Sequence, residues 1–163
     1  MGLIGLPNAG KSSLLNSLTA AHAKIGAYPF TTLEPNLGAY FGYVIADIPG
    51  LIEGAASGKG LGHAFLRHIA RTKILIHCIA ADAATPLQDY KTVRAEIDAY
   101  SDALSRKPEI VFLTKADLAS EEDLAAIEKD FVKEKKRAIR ISILDDRLLK
   151  AAGDELVRFL KEA

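Results

Sequence analysis

The sequence predicts an α/β fold with a mostly parallel six-stranded sheet and helices on both faces. Short apolar runs alternate with amphipathic stretches along the chain. This alternation is typical of parallel strands that are joined by right-handed helical crossovers. The first apolar run is followed by a glycine-rich turn and then by a helix-competent segment. In such folds we expect the ligand at the carboxyl ends of the strands.

Six segments have the character of strands, and the last three carry few polar residues, as strands buried on both faces do. The segments are Leu3–Ile4, Leu37–Tyr40, Tyr43–Asp47, Ile74–Ala80, Glu109–Thr114 and Ala138–Ile143. Helical periods run through Val93, Ile97, Tyr100 and Leu104 and through Leu149, Ala152, Leu156 and Phe159. Thr85-Pro86 and the capping-box signal Ser120–Asp123 predict helix starts.

Composition limits the class of protein without identifying it. The chain has 163 residues, and its 21 basic and 21 acidic residues cancel, so bulk charge predicts neither nucleic-acid binding, to DNA or RNA, nor membrane binding. One cysteine, Cys78, excludes an internal disulfide, and no apolar run reaches membrane-spanning length, so we expect a cytoplasmic protein. Since only four residues precede Gly5, we expect residues 1–163 to be one domain excised from a longer multidomain protein.

The stretch from Gly5 to Ser12 fits the phosphate-binding pattern G-x-x-x-x-G-K-[ST] between a strand and a helix. Glycines let the backbone N–H groups surround an anion, Lys11 reaches the β- and γ-phosphates, and the Ser12 hydroxyl ligates Mg²⁺. The alternative is a glycine turn that ends in a chance Lys-Ser. The candidate phosphate contacts are Gly5, Leu6, Pro7, Asn8, Ala9, Gly10, Lys11, Ser12 and Ser13.

Two later segments are candidates for the metal and the γ-phosphate. The loop from Tyr28 to Pro35 is rich in proline and threonine, and its Thr32, or else Thr31, can ligate Mg²⁺ while a γ-phosphate is present. An ordinary surface loop is the alternative. Asp47-Ile-Pro-Gly50 ends a strand, which lets Asp47 hold a Mg²⁺-bound water and Gly50 approach the γ-phosphate. The candidate nucleotide contacts here are Phe30, Thr31, Thr32, Asp47, Ile48, Pro49 and Gly50.

Thr114-Lys-Ala-Asp117 follows an apolar strand and is the candidate for base selection. Guanine presents two adjacent N–H donors, and the Asp117 carboxylate can accept from both, whereas adenine has no such pair. The Lys115 stem would lie along the base, and Ser142 would lie on its other side. The alternative role for Asp117 is to cap the helix that begins near Ser120.

With these motifs the chain resembles the translation-factor-related GTPases, which have a Ras-like G domain of the P-loop NTPase class, and within them the GTPase domain of the Obg family. The specific segments are residues 28–38, 47–55 and 60–69. The resemblance implies that Gly5–Ser13 contact the phosphates, that Ser12, Thr32 and Asp47 form the Mg²⁺ site, and that Thr114, Lys115, Asp117, Ser142 and Ile143 contact guanine. It also implies a larger protein that engages the large ribosomal subunit during its assembly and acts in stress or growth control.

The chain departs from the family pattern at several positions. Thr114 stands where the family has asparagine, so we expect it to lose the amide contacts that brace the loop, and Ile143 replaces an alanine. The connection from Gly38 to Tyr43 is shorter than the usual hairpin, which indicates a tight turn or missing residues.

Catalysis is where the departures matter most. Leu51 stands where many GTPases have the glutamine that orients water, so we expect slow hydrolysis. In similar GTPases an asparagine at the position of Asn8 ligates K⁺, although asparagine also suits such a turn. The candidate catalytic residues are Lys11, Thr32, Gly50 and, for potassium, Asn8. Two functions remain open, a slow GTPase switch and a nucleotide-responsive binding module with negligible hydrolysis.

Overall fold

In the computed structural model of the chain, the described residues are 1–19, 24–25, 36–47 and 72–163. Their strands form one seven-stranded sheet in the order β2-β3-β4-β1-β5-β6-β7. The strands are β1 (Gly2–Ile4), β2 (Lys24–Ile25), β3 (Asn36–Tyr40), β4 (Tyr43–Asp47), β5 (Leu75–Ala80), β6 (Glu109–Thr114) and β7 (Ala138–Arg140). Strands β4, β1, β5, β6 and β7 run parallel, and β2 and β3 pair antiparallel at one edge. The predicted α/β fold is confirmed, and β2 adds an edge strand to the six that were predicted.

The described residues also form five α-helices. They are α1 (Lys11–Leu18), α2 (Pro86–Tyr100), α3 (Asp102–Ser105), α4 (Glu121–Lys133) and α5 (Asp146–Glu162), with a 3₁₀ turn at Ala116–Leu118. The two predicted helix starts are present, because Thr85 precedes Pro86 at the start of α2 and Ser120 accepts a hydrogen bond from the Asp123 N–H. Among the described helices, none is long and apolar enough to cross a membrane.

The sheet is covered on both faces, as parallel sheets require. One buried cluster joins α1 and α5 to the sheet, with Leu15, Leu156 and Phe112 at its centre. The other cluster joins α2 and α4 to the opposite face through Phe131 and Leu113. Neighbouring residues of β6 thus pack on opposite faces of the sheet, which fixes the position of the strand. Its carboxyl end, at Thr114, lies on the side of the sheet where the predicted site residues are found.

Two predicted boundaries are wrong, and each has a local cause. The helical period from Val93 to Leu104 was expected to be one helix, but the backbone is extended at Ser101, whose side chain caps α3 by accepting from Leu104 N. The last strand ends at Arg140 rather than Ile143. The backbone turns beyond Ile141, since the Ser142 Oγ accepts a hydrogen bond from Leu144 N at 3.1 Å.

The connection between β3 and β4 is a tight turn. Tyr40 pairs with Tyr43 across the ladder, and only Phe41 and Gly42 lie between them, with φ of 47° and 81°. Two consecutive positive φ values are typical of the two-residue turns that match the twist of a hairpin. Of the two possibilities left open by the sequence, the short connection is therefore a turn that closes without further residues.

A buried polar cluster lies at the amino end of β6, at the opposite end of this strand from Thr114. The Glu109 side chain is 1% exposed and accepts hydrogen bonds from His77 Nδ1 at 2.9 Å, the Tyr90 hydroxyl at 3.0 Å and Lys136 Nζ at 3.0 Å. Burial alone would raise the pKa of Glu109, but the hydrogen bonds and charges of His77 and Lys136 hold it at about 2. His77 is itself fully buried.

Candidate functional site

The phosphate-binding pattern forms a tight loop between β1 and α1. Gly5 has a φ of 146°, and a Cβ there would lie 2.4 Å from the Cys78 carbonyl oxygen. Gly10 has a φ of 78° and precedes α1 as its N-cap. Both conformations are ones that L side chains rarely adopt, so the pattern needs its two glycines for the shape of the loop.

Lys11 lies over this loop. Its Nζ donates to the carbonyl oxygens of Gly5 at 2.8 Å and Leu6 at 2.9 Å. The first turn of α1 contains no acidic residue, so the positive end of the helix dipole is not offset within that turn. An ammonium beside the N-terminus of a helix is the arrangement that attracts phosphate.

Asn8 is exposed and has a φ of 63°. Asparagine tolerates this left-handed conformation better than most residues, so the turn alone accounts for its presence. The side chain makes no hydrogen bond within the described residues, and it therefore remains available for the potassium hypothesis as well.

Two of the three predicted metal residues, Ser12 and Asp47, meet at the end of β4. The Ser12 hydroxyl donates to Asp47 Oδ2 at 2.5 Å, although 35 residues separate the two in sequence. Asp47 is 5% exposed, and its other carboxylate oxygen, Oδ1, is buried without a hydrogen-bond partner in the described part of the chain. A buried, unpaired carboxylate oxygen is costly unless a ligand or water satisfies it. The hydroxyl and carboxylate oxygens here fit Mg²⁺, which prefers oxygen ligands and retains bound water.

Thr114 braces the phosphate-binding loop. Its buried hydroxyl lies 2.8 Å from the Ala9 carbonyl oxygen and 3.1 Å from that of Ile79. A hydroxyl carries one proton, so it donates to one of these carbonyls at a time. Threonine lacks the amide of the family pattern, as expected, but the loop is still held, because the Thr114 hydroxyl links it to the end of β6.

Asp117 is held by Ser142 rather than by a helix. The Ser142 hydroxyl donates to Asp117 Oδ1 at 2.6 Å, and Ser120 caps α4 instead. The capping role considered for Asp117 is therefore excluded. A hydrogen bond to one oxygen orients the carboxylate plane and leaves accepting capacity on both oxygens for a ligand.

A cleft of about 300 Å³ connects the phosphate loop with Asp117. Its lining is predominantly apolar, and it brings together residues from the start of α1, the end of β6 and the loop after β7. The lining residues are Gly10, Ser13, Leu14, Thr114, Lys115, Asp117, Leu118, Ile141, Ile143 and Leu144. A mainly apolar cleft whose lining includes one carboxylate, that of Asp117, has the chemistry to hold a planar base that presents N–H donors.

Several predicted residues lie outside the described part of the chain. These are Phe30, Thr31, Thr32, Ile48, Pro49 and Gly50. Conversely, the motif analysis did not find Asp82, whose Oδ2 lies 3.3 Å from Lys115 Nζ. No sequence pattern marks Asp82, because its proximity to Lys115 comes from the pairing of β5 with β6.

The fold and site define a P-loop GTPase domain. A family described as the 50S ribosome-binding GTPases matches residues 1–115. The chain belongs to this family. It is similar to the protein named GTPase Obg from Desulfatibacillum aliphaticivorans, at 57% identity over 79% of the chain and 41% of that protein, and to the one from Picosynechococcus, at 51% over 85% and 39%. The predicted resemblance to Obg is confirmed, and the chain spans about two fifths of the length of these relatives.

Solved structures support the fold alone. The G domain of the FeoB iron transporter of T. maritima matches with a TM-score of 0.67 at 22% identity, over 98% of this chain and 96% of that one. The cytosolic domain of L. pneumophila FeoB matches with a TM-score of 0.70 at 22% identity, over 97% and 67%. Both likenesses agree with the predicted G-domain fold.

Replacing Thr114 by valine tests the brace. Valine keeps the shape of threonine but removes the hydroxyl, so we expect GDP release to accelerate by about tenfold, as the loss of one hydrogen bond predicts. Thr114→Ser keeps the hydroxyl and is the matched control, which should remain within about threefold of the original rate. Fluorescent GDP chased by unlabelled GDP measures both rates. Equal release from the valine and serine variants would contradict the role of the hydroxyl.

Proposed function

We propose that this chain is a Mg²⁺-dependent domain that binds GTP and hydrolyses it slowly as a molecular switch. The observation that carries the proposal is that three groups lie on the same side of the sheet, at the carboxyl ends of its parallel strands. They are Lys11 above the phosphate loop, the Ser12–Asp47 pair with its unpaired buried oxygen, and Asp117 at the end of the apolar cleft.

The phosphate half of the site follows from the loop and α1. Backbone N–H groups of residues 5–13 other than Pro7, together with the N-terminus of α1, bind the phosphates, and the Lys11 ammonium neutralises charge on the β- and γ-phosphates. In doing so Lys11 exchanges its carbonyl partners, Gly5 and Leu6, for phosphate oxygens. This exchange costs little, because an ammonium forms stronger hydrogen bonds with anions than with neutral carbonyls.

Mg²⁺ would be held by Ser12, by Thr32 and, through water, by Asp47. Its chemistry at this site is to neutralise the charge that develops on the phosphates. Asp47 also orients the Ser12 hydroxyl, as the 2.5 Å contact between Oγ and Oδ2 indicates. Removal of Mg²⁺ by a chelator is therefore expected to weaken nucleotide binding.

The base half selects guanine through Asp117. Its carboxylate accepts from the two adjacent N–H groups of guanine, while Lys115 covers one face of the ring and Ile143 lies beside its edge. Adenine offers no matching pair of donors and would leave the carboxylate poorly satisfied. We therefore infer a preference for GTP and GDP over ATP and ADP.

Hydrolysis is slow in this proposal because Leu51 has no side-chain group that orients water. The candidate accelerating group is K⁺ bound near Asn8, whose exposed side chain stands at the mouth of the phosphate loop. Thr32 and Gly50 would contact the γ-phosphate and lose that contact when GTP becomes GDP. The segments that carry Thr32 and Gly50 would then be ordered with GTP bound and less ordered with GDP bound.

The partner in this proposal is the large ribosomal subunit or its precursor. The description of the matching family as 50S ribosome-binding and the relatives named Obg support it. The relatives are more than twice as long as this chain. Their other parts therefore contribute to binding of the partner and to any role in stress or growth control. Neither a membrane nor DNA is part of the proposal.

A nucleotide-responsive binding module with negligible hydrolysis is the second candidate. Leu51 favours this module, because the chain then depends on a partner for the catalytic group. The two candidates share the same nucleotide site and differ only in the rate of the chemical step. Turnover by the isolated chain distinguishes them.

Single-turnover hydrolysis of GTP in KCl and in NaCl at equal ionic strength, with ATP as control, tests the proposal. The slow switch predicts GTP turnover that is faster in KCl, with the stimulation lost in Asn8→Ala. Stimulation that survives in Asn8→Ala would contradict the role of Asn8. Tight GTP binding without turnover in either salt would favour the binding module, and turnover of ATP equal to that of GTP would contradict the guanine assignment.

A further inference from the structure

Lys115 has an unusual backbone conformation and a charged partner. It follows β6 directly, and its φ is 55°, in the left-handed region that residues other than glycine seldom adopt. Its Nζ forms an ion pair with Asp82 Oδ2 at 3.3 Å, and both side chains are 34% exposed. The backbone alone does not fix the direction of a long lysine side chain, which loses considerable rotamer freedom when it is ordered.

The pairing of β5 with β6 brings Asp82 to this position. Ala80 is paired with Thr114 in the register of the two strands, so the backbone segments that follow β5 and β6 leave the sheet side by side. Backbone hydrogen bonds then fix both turns, from Ala81 N to Thr114 O at 2.8 Å and from Ala83 N to Ala80 O at 3.3 Å. Asp82 therefore stands on a turn that is itself attached to the base-binding loop.

The loop that carries Lys115 is anchored on its other side as well. Ala116 N donates to Ile141 O at 3.2 Å, and the Thr114 hydroxyl reaches back to the end of β5. The backbone on either side of Lys115 is thus held, whereas the side chain has Asp82 as its ion-pair partner. Lys115 also lines the cleft that ends at Asp117.

We propose that Asp82 is a positioning residue for the base. By holding the Lys115 ammonium at one side of the cleft, Asp82 keeps the apolar stem of Lys115 extended along the ring that Asp117 selects. The inference rests on the proposed guanine-nucleotide site and adds to it a residue from the turn after β5, which acts without contacting the nucleotide. Asp82 acts through Lys115 alone, and its contribution disappears if Lys115 has no ammonium.

The size of the effect follows from the exposure of the pair. Ion pairs that are partly exposed contribute modestly, so loss of Asp82 is expected to accelerate GDP release by about threefold at low salt. Screening weakens such pairs, so the effect should shrink toward unity near 1 M salt. Binding of pyrophosphate, which lacks a base, should not change.

The test is a double-mutant cycle on GDP release by the full chain at low and high salt. We expect Asp82→Asn to release GDP about threefold faster than the unmodified chain and to have no effect in a Lys115→Met background. Asp130→Asn is the matched control, because Asp130 forms a comparable exposed pair with Lys133 on α4. The control should release GDP at the original rate.

Three outcomes would overturn the inference. They are an unchanged release rate in Asp82→Asn, an effect of equal size in the Lys115→Met background, and a parallel loss of pyrophosphate affinity, which would indicate general damage to the site. Failure of the proposed function is distinguishable from these, since the unmodified chain would then not bind GDP in preference to ADP.

Discussion

Asp117→Ala is expected to abolish the preference for guanine nucleotides and to weaken GDP binding by at least about 100-fold. The carboxylate accepts two N–H groups of guanine, and hydrogen bonds to a charged group contribute about 1.5–3 kcal/mol each. Losing both therefore removes about 3 kcal/mol or more, which corresponds to two decades in affinity. ADP binding should change little, because adenine does not use the carboxylate.

Equilibrium titration of GDP and ADP into both proteins measures this effect. Asp102→Ala, which removes an exposed carboxylate from α3, is the control and should bind GDP as the unmodified chain does. An Asp117→Ala variant that still prefers GDP over ADP would show that another group selects the base.

Ser142→Ala should have a smaller effect of the same kind, since Ser142 orients Asp117 through its 2.6 Å hydrogen bond.

Glu109→Ala is expected to lower the free energy of unfolding by about 3 kcal/mol, as the removal of one partner from a buried ion pair does. The Glu109 side chain is 1% exposed, and without it the buried His77 and Tyr90 and the nearby Lys136 and Arg94 lose their shared acceptor. Urea denaturation measures the loss. Glu134→Ala removes a carboxylate that forms an exposed pair with Lys91 and should cost less than about 1 kcal/mol.

The pH dependence of stability provides an independent check on Glu109. Its pKa of about 2 in the folded protein lies below the ordinary value of 4.5, so the folded state favours the charged form. The resulting stabilisation is fully present above about pH 4.5 and is lost as the pH falls toward 2. The difference in the free energy of unfolding between the unmodified chain and Glu109→Gln should therefore narrow as the pH falls through this range. A difference that does not change with pH would contradict the lowered pKa of Glu109.

The phosphate-binding loop and the strands could be predicted from the sequence because their signals are local. Gly5, Gly10 and Lys11 stand at fixed spacing between an apolar strand and a helix, and the loop geometry requires this order. The buried strands are continuous apolar runs, which identify them without knowledge of their neighbours. The two-residue strand β2 carries no such signal, since Lys24 and Ile25 have no distinctive pattern.

The contacts that support the site could not be predicted, because they join residues distant in sequence. Thr114 and Ala9 are 105 residues apart, and Asp82 and Lys115 are 33 apart. A family pattern indicates that Thr114 lacks an amide but not that its hydroxyl reaches the same loop. The sheet register and the turn after β5 determine these contacts, and neither is visible in the motifs.

Equilibrium binding of GDP and ADP to the unmodified chain, with Mg²⁺ present, tests the guanine-nucleotide site most directly. The account predicts that GDP binds at least about 100-fold more tightly than ADP, because only guanine satisfies the Asp117 carboxylate. It also predicts that a chelator of Mg²⁺ weakens GDP binding. Equal affinity for GDP and ADP would contradict the central claim.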